Sequence, residues 1–162
     1  MNETAGSDQT PDARWGPPAN GLQCLLQPQQ ATYSDGEPFV FDLKLHNMGT
    51  NRLLVTDIYD VRPPPWIWSL RATGPDGMAV PYDGDMIVYC LTARPISGGA
   101  ILNYTFTLEA RNWDTVAPGE YRFQFSYERR PTTNEANVWS GTVTSQEARV
   151  VRLPNQEIHG TQ

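Results

Sequence analysis

Several short segments of this sequence alternate between apolar and polar side chains, and this period of two is the strongest limit on how the chain can fold. The clearest segments are "FVFDLKLH" (residues 39–46) and "GEYRFQFSY" (residues 119–127). Their apolar positions are Phe39, Phe41, Leu43 and Leu45 in the first segment, and Tyr121, Phe123, Phe125 and Tyr127 in the second. Because successive side chains of a strand point to opposite faces, the pattern predicts strands with one buried and one solvated face.

Seven further segments have strand character and are separated by Gly, Pro, Asn and Asp turn signals. They are "GLQCLLQP" (21–28), "LLV" (53–55), "WIWSLRAT" (66–73), "MIVYCLT" (86–92), "ILNYTFTL" (101–108), "VWSGTVTS" (138–145) and "ARVVRL" (148–153). No segment keeps helical spacing over the length that a helix needs. The sequence therefore predicts an all-β chain of about eight short strands, arranged as an antiparallel sandwich or barrel.

The segment "APGEYRFQF" favours a sandwich of the immunoglobulin-like type. A Pro-Gly turn leads directly into Tyr121 at the start of an alternating strand. This arrangement resembles the tyrosine corner of immunoglobulin-like domains, in which the phenol hydroxyl bonds back to nearby backbone. We therefore predict an immunoglobulin-like antiparallel β-sandwich.

A chain of 162 residues has the usual size of one domain and can bury a core without metals or several disulfides. Residues 1–14 are polar and without periodicity, as are residues 154–162, so we expect disordered tails around one sandwich domain at residues 15–153. The net charge of -6 opposes attraction to phosphates, so nucleic acid is not an expected partner. No apolar run approaches a membrane span, so we expect no membrane insertion.

Four stretches of the sequence, "RWGPPANGLQCLLQ", "GEPFVFDLKLHNMGTNRLLV", "PGEYRFQFSY" and "WSGTVTSQEARVV", carry a family resemblance. Together they resemble uncharacterised immunoglobulin-like modules of exported bacterial proteins, including the extracytoplasmic parts of membrane-bound sensor-type proteins. The likeness covers most of residues 14–151. It implies a periplasmic or extracellular location, within a larger exported or membrane-anchored protein. A weaker resemblance is to small bacterial intracellular proteinase inhibitors. It rests on a similar start of the chain, in which a strand is followed by Asn-x-Gly and then by Leu-x-Val.

The sequence offers little for nucleophilic or metal chemistry. His46 and His159 are the two histidines, and a nucleophilic site needs one of them beside a reactive side chain and an orienting third group. His159 falls in the expected tail, and His46 falls at the solvent-exposed end of a strand. His46 and Met48 could act as soft copper ligands, but no second His or Cys stands at a matching spacing. We predict no catalytic residues, no resident metal and no cofactor.

Two pairs of acids could supply oxygen ligands to calcium. Asp57 and Asp60 occur in "DIYD", and Asp83 and Asp85 occur in "YDGDM". Neither spacing completes a loop pattern such as the EF-hand, so solvated turn acids are the favoured interpretation. Asp83 and Asp85 remain the candidate ligands if calcium does bind.

The five tryptophans raise the question of a carbohydrate site, because exposed indole rings can stack on ligand faces. They are Trp15, Trp66, Trp68, Trp113 and Trp139. The segment "PPPWIW" is the best case, since its prolines could hold Trp66 outward, whereas Trp68 continues into a strand. We favour core or rim packing for these rings and keep Trp66 and Trp68 as candidate ligand-binding residues.

Cys24 and Cys90 can be interpreted as a disulfide or as two buried thiols. A bridge would suit an exported sandwich. However, Cys24 lies in the first strand, whereas the immunoglobulin bridge joins the second strand to the sixth. Both residues also occupy positions that suit a small apolar side chain, so two separate buried thiols are the favoured prediction.

These observations favour a non-enzymatic structural or protein-interaction module with an unknown protein partner. Such a module works by presenting loops and sheet edges rather than by making bonds. Two further functions stay open, a carbohydrate- or calcium-binding module and a proteinase inhibitor.

Overall fold

The computed structural model describes residues 14–58, 60–84, 92–131 and 137–156, and these residues form β-strands joined by turns and loops. The strands are β1 (Leu22–Pro28), β2 (Thr32–Tyr33), β3 (Phe39–Asn47), β4 (Leu53–Thr56), β5 (Trp68–Thr73), β6 (Ala93–Ile96), β7 (Ile101–Leu108), β8 (Gly119–Arg129), β9 (Gly141–Thr144) and β10 (Ala148–Arg152). The described ranges contain no helix with the length and apolar character of a membrane span. The prediction of an all-β fold is confirmed.

The strands form two main sheets and one short pair. The first sheet has the order β1-β3-β7, and both of its pairings are antiparallel. The second has the order β2-β10-β8-β5, with β9 also paired to β8; its pairings are antiparallel except for the short parallel contact of β2 with β10. The third unit is the antiparallel pair of β4 and β6. The two main sheets pack face to face, which is the predicted sandwich.

The core between the sheets is built from the apolar positions of the alternating strands. In β3 every second residue from Phe39 to Asn47 is buried, and in β8 the same alternation runs from Tyr121 to Tyr127. Aromatic rings join the two sheets: the ring centroid of Phe123 lies 4.9 Å from that of Phe41, in an edge-to-face arrangement. Such contacts add to the hydrophobic stabilisation of the buried rings.

The tyrosine corner predicted at Tyr121 is present. The phenol hydroxyl of Tyr121 donates a hydrogen bond of 2.6 Å to the carbonyl oxygen of Ala117, four residues earlier. On β5, the neighbour of β8, the indole of Trp68 is buried and stacks on Tyr127 at a centroid distance of 3.9 Å. A buried Trp beside the tyrosine-corner strand is a further hallmark of immunoglobulin-like sandwiches. The chain is an immunoglobulin-like antiparallel β-sandwich.

Two predicted strands are shorter in the structure, two observed strands were not predicted, and one prediction is not tested. The segment "VWSGTVTS" is a strand only over Gly141–Thr144. The segment "WIWSLRAT" becomes a strand only at Trp68, so residues 66 and 67 belong to the preceding loop. Strands β2 and β6 were not predicted. Strand β2 has only two residues, and the sequence of β6, "ARPI", has no apolar alternation. The strand predicted at "MIVYCLT" falls largely on residues 86–91, which lie outside the described residues.

Two buried polar residues hold the turns at the ends of strands. Asn47 is fully buried, and its Nδ2 donates to the carbonyl oxygens of Asn51 and Ile96 while its Oδ1 accepts from the backbone of Gly49. This side chain therefore shapes the "NMGTN" turn after β3. Buried amide groups normally require such partners, and here the backbone supplies them.

Arg152 has the corresponding role at the end of β10. Its guanidinium is buried, lies 4.2 Å from the ring centroid of Phe39, and donates to the carbonyl oxygens of Thr115, Ser34 and Glu37. Burial lowers the pKa of Arg152, although neighbouring acidic groups act in the opposite direction. The side chain therefore joins the last strand to two connecting loops.

Candidate functional site

A concave surface lies where three connecting segments meet at the end of β8. It is lined by Thr56, residues 65–67, Thr92, Ala93 and residues 128–130. We call it the Trp66 depression. Its volume of about 490 Å³ lies within the range of small-ligand pockets. Loops held by a rigid sandwich are common binding sites, because the scaffold fixes their position.

Trp66 projects from the loop that leads into β5. Three consecutive prolines, Pro63, Pro64 and Pro65, precede it, and their fixed φ angles restrict the backbone there. The guanidinium of Arg62 lies 4.3 Å from the centroid of the Trp66 ring, in a cation–π contact. Trp66 is half-buried, so this loop presents an indole ring that is only partly covered.

Arg62 is itself held in place beneath that ring. Its side chain is 5% exposed, and its Nε lies 3.2 Å from Oδ2 of Asp60. Its backbone also pairs with β5, because the amide of Leu70 donates to the Arg62 carbonyl oxygen. The position of Trp66 is thus fixed by a buried cation that is anchored to the second sheet.

Arg129 also lines the depression and is tied to β4. Its Nη1 donates a hydrogen bond of 2.6 Å to Oγ1 of Thr56. The backbone amide of Thr56 in turn donates to the hydroxyl of Tyr127, which lies in the core. The adjacent Arg130 is exposed. The depression is therefore lined by an indole and by two arginine residues.

The connection between β4 and β5 is anchored on its other side to the first sheet. The hydroxyl of Tyr104 donates a hydrogen bond of 2.6 Å to Oδ1 of Asp57, and Nη1 of Arg94 lies 3.7 Å from the same oxygen. Burial, the hydrogen bond and the charge of Asp57 together raise the pKa of Tyr104. A second depression of about 280 Å³ lies beside this contact, where Ile58, Asp60 and Val61 face β7. Both sheets therefore hold the loop that carries Trp66.

Of the two candidate tryptophans, the structure brings only Trp66 to a concave surface. Trp68 is 2% exposed and lies within the core, where its ring stacks on Tyr127 and Phe125. A ring buried in this way has no free face for a ligand. Trp68 therefore has the core role that sequence analysis favours for these rings.

Of the candidate calcium ligands, Asp57, Asp60 and Asp83 do not line the Trp66 depression. Asp83 is exposed, and its backbone amide donates to the carbonyl oxygen of Asn112; Asp85 lies outside the described residues. Asp57 and Asp60 already bond to Tyr104 and Arg62. Within residues 14–58, 60–84, 92–131 and 137–156, no three His, Cys, Asp or Glu side chains cluster as metal ligands would.

The remaining described candidates for catalysis or metal binding, His46, Met48 and Cys24, do not form one site. His46 is half-buried on the outer face of the first sheet, where its ring centroid lies 5.6 Å from that of Trp15, and Met48 is exposed. Cys24 is a free thiol buried in the core, and burial raises its pKa to about 12. Cys90 and His159 lie outside the described part of the chain.

Sequence analysis did not identify Thr56, Thr92, Arg129 or Arg130 as site residues. These residues come from three distant parts of the chain, and only the pairing of β4 with β6 and the length of β8 bring them together. The signal available in the sequence was the pair of arginines directly after the "YRFQFSYE" strand.

No protein-family model and no curated protein sequence matches the chain. Among solved structures, the chain is similar to the CARDB domain of a Pyrococcus furiosus protein, determined in complex with di-metal ions. The two are 12% identical, the likeness covers 83% of this chain and 94% of that one, and the TM-score is 0.44. The fold assignment rests on the strand pairings and the tyrosine corner.

Proposed function

We propose that this chain is a non-enzymatic interaction module that binds a protein partner in the Trp66 depression. One observation carries the proposal: a half-buried indole, held by a proline-rich loop and a buried arginine, borders a concave surface at the end of a rigid sandwich. Trp and Arg are the residue types most often found at binding hot spots. The mechanism is presentation of a preformed surface, which limits the entropy lost on binding.

The resemblance to modules of exported bacterial proteins supports a periplasmic or extracellular location, within a larger exported or membrane-anchored protein. The net charge of -6 supports a protein partner rather than nucleic acid. A catalytic role has no support from the described residues, because His46 lies on the outer face of a sheet, away from Cys24 in the core.

Carbohydrate binding is the second candidate function, and Trp66 is the observation that favours it. The ring lines a depression that also contains Glu128 and Arg130, whose side chains are exposed and of the polar type that bonds to sugar hydroxyls. Calcium binding and proteinase inhibition have no comparable feature in the described residues.

The test compares binding of the fluorescently labelled protein to a peptide array and to a glycan array. The key variant is Trp66→Ala, and the matched control is Trp15→Ala, which removes a half-buried indole from the outer face of the first sheet. Circular dichroism and a thermal melt verify that both variants are folded.

We expect peptides that bind the wild-type protein and the Trp15→Ala variant but bind Trp66→Ala at least tenfold more weakly. Binding on the glycan array alone, with the same dependence on Trp66, would replace the proposed protein partner by a carbohydrate. Binders unaffected by Trp66→Ala, or no binders on either array, would contradict a site at the depression.

A further inference from the structure

Strand β7 forms an edge of the first sheet, because β3 is the one strand paired with it among the described residues. Along an antiparallel strand, alternate residues direct their backbone groups towards and away from the partner. The amide of Asn47 donates to the carbonyl oxygen of Ala100, which therefore faces β3. Counting from Ala100, the N–H and C=O groups of Asn103, Thr105 and Thr107 point away from β3. In the described part of the chain, no hydrogen bond is formed to these outward groups.

This edge lacks the features that usually block an open strand. The sequence of β7, "ILNYTFTL", contains no charged residue and no proline, and its eight residues pair with β3 one to one, without a bulge. Two other sheet edges are covered by neighbouring segments: the amide of Gly16 donates to the carbonyl oxygen of Cys24 in β1, and that of Val80 to Ala72 in β5. Strand β7 is therefore an edge that a further strand can extend.

The inward-facing side chains of β7 are also incompletely covered. Tyr104 and Phe106 are half-buried, whereas Leu43 and Phe41, their partners in β3, are fully buried. An added strand would direct every second side chain to the same side of the sheet as Tyr104 and Phe106. Apolar side chains at those positions would cover the exposed part of both rings.

The second depression lies along this edge. Its lining includes the consecutive residues 104–107, so the backbone edge of β7 itself faces the depression. Ile58 and Val61 supply apolar surface on the other side, and the carboxylate of Asp60 is already bonded to Arg62. The depression therefore suits apolar side chains of an extended segment that lies beside β7.

A second copy of β7 would not supply such side chains. In each copy the Phe106 ring stacks on Phe41 at a centroid distance of 5.5 Å, and the hydroxyl of Tyr104 donates to Asp57. Both side chains are thus held within their own sandwich and cannot enter the depression of another molecule. An extended segment without packing of its own has no such restriction.

We propose that β7 binds a protein partner by strand addition. The occupant is an extended segment with apolar side chains at every second position; its backbone bonds to Asn103, Thr105 and Thr107, and its apolar side chains pack on Phe106 and Ile58. In this mode of recognition, main-chain hydrogen bonds give affinity and the alternate side chains give specificity. The surface is separate from the Trp66 depression, and the inference does not depend on the function proposed there.

Hydrogen exchange of the ¹⁵N-labelled wild-type protein, followed by NMR, tests whether the edge is open. We expect the amides of Asn103, Thr105 and Thr107 to exchange at least about tenfold faster than those of Tyr104 and Phe106, which bond to β3. Equal protection of the two sets in dilute protein would mean that the chain itself covers the edge. Protection that increases with protein concentration would mean that a second copy covers it. Either result would contradict the proposal.

The occupant is tested with phage-displayed peptides of random sequence, selected on the immobilised Trp66→Ala variant so that the Trp66 depression is disabled. The enriched peptides are synthesised with capped ends, a fluorescent label and an N-methyl group at each position in turn. Fluorescence anisotropy measures their affinity for the wild-type protein. We expect binding to weaken about tenfold at every second position only, because N-methylation there removes a donor that faces β7. The bound peptide should also slow exchange at Asn103, Thr105 and Thr107.

Thr105→Pro removes one outward donor at a place where an edge strand tolerates proline, and it should weaken peptide binding about tenfold. The matched control is Thr105→Val, which loses the same hydroxyl bond to Asp42 but keeps the backbone amide, so it should bind as the wild type does. Circular dichroism and a thermal melt verify the fold of both variants. If Thr105→Pro does not fold, the N-methyl series on the wild-type protein gives the decision.

The inference fails if no peptide is enriched, if N-methylation weakens binding without a period of two, or if a bound peptide leaves exchange along β7 unchanged. Equal binding to Thr105→Pro and Thr105→Val would also contradict it. These failures leave the Trp66 depression as a proposed site, because its binders depend on Trp66 and the peptides selected here do not.

Discussion

Replacement of Phe123 by Ala tests whether the alternation of β8 places this side chain at the centre of the core. The Phe123 side chain is fully buried, and its ring lies among those of Phe39, Phe41 and Tyr121. Losing the transfer free energy of the ring costs about 1.5 to 3 kcal/mol, and the remaining cavity raises the total to about 3 to 5 kcal/mol. The surrounding structure relaxes only partly into such a cavity.

The assay is urea unfolding followed by tryptophan fluorescence, together with a thermal melt. Unfolding entropy is about 2.1 cal/mol/K per residue, so in a chain of 162 residues each kcal/mol corresponds to about 3 °C. The melting temperature should therefore fall by about 10 to 15 °C.

The matched control is Arg122→Ala, at the next position of the same strand. The Arg122 side chain is 49% exposed and makes surface ion pairs, so its removal should cost less than about 1 kcal/mol. A cost below about 1 kcal/mol for Phe123→Ala, or an equal cost for the two variants, would refute the assignment of the buried face.

Three further predictions concern buried and charged groups. Arg152→Met should cost about 2 to 4 kcal/mol in urea melts, because it leaves the buried carbonyl of Thr115 and two others without their donor; an unchanged midpoint would contradict this clamp. The pKa of Cys24 is raised from 9.0 to about 12, so the unfolded chain loses this proton first, and stability is complete below pH 9.0 and falls as the pH rises towards 12. The fall should be smaller in Cys24→Ala, and an equal fall would show that the thiol is not the cause. Millimolar calcium should leave the melting temperature unchanged, whereas a rise that Asp83→Asn combined with Asp85→Asn abolishes would establish a calcium site.

The alternating strands could be predicted because burial of one face dictates their sequence directly. The same alternation also contains two buried polar residues. Asn47 continues the buried side of β3, and Arg152 follows Ala148 and Val150 on the buried side of β10. A polar residue in phase with buried positions thus marks a group that the core must supply with partners. The sequence therefore shows that such a residue is buried, but it does not show which groups form its hydrogen bonds.

Strand β6 and the lining of the Trp66 depression could not be predicted, because both depend on contacts between distant segments. The sequence of β6, with Pro95 near its end, favours no strand by itself, and its pairing with β4 creates it. Likewise, the hydrogen bond between Arg129 and Thr56 joins residues 73 positions apart. Trp66 was predicted as a candidate because the three prolines that restrict its loop directly precede it in the sequence.

The most direct test of the binding surface is ¹⁹F NMR of protein labelled with 5-fluorotryptophan. Trp66→Phe and Trp15→Phe assign two of the tryptophan signals, and a peptide selected on the wild-type protein is then added. We predict that the Trp66 signal shifts on binding while the Trp15 signal stays in place. A shifted Trp15 signal with an unchanged Trp66 signal would contradict the assignment of the Trp66 depression as the site.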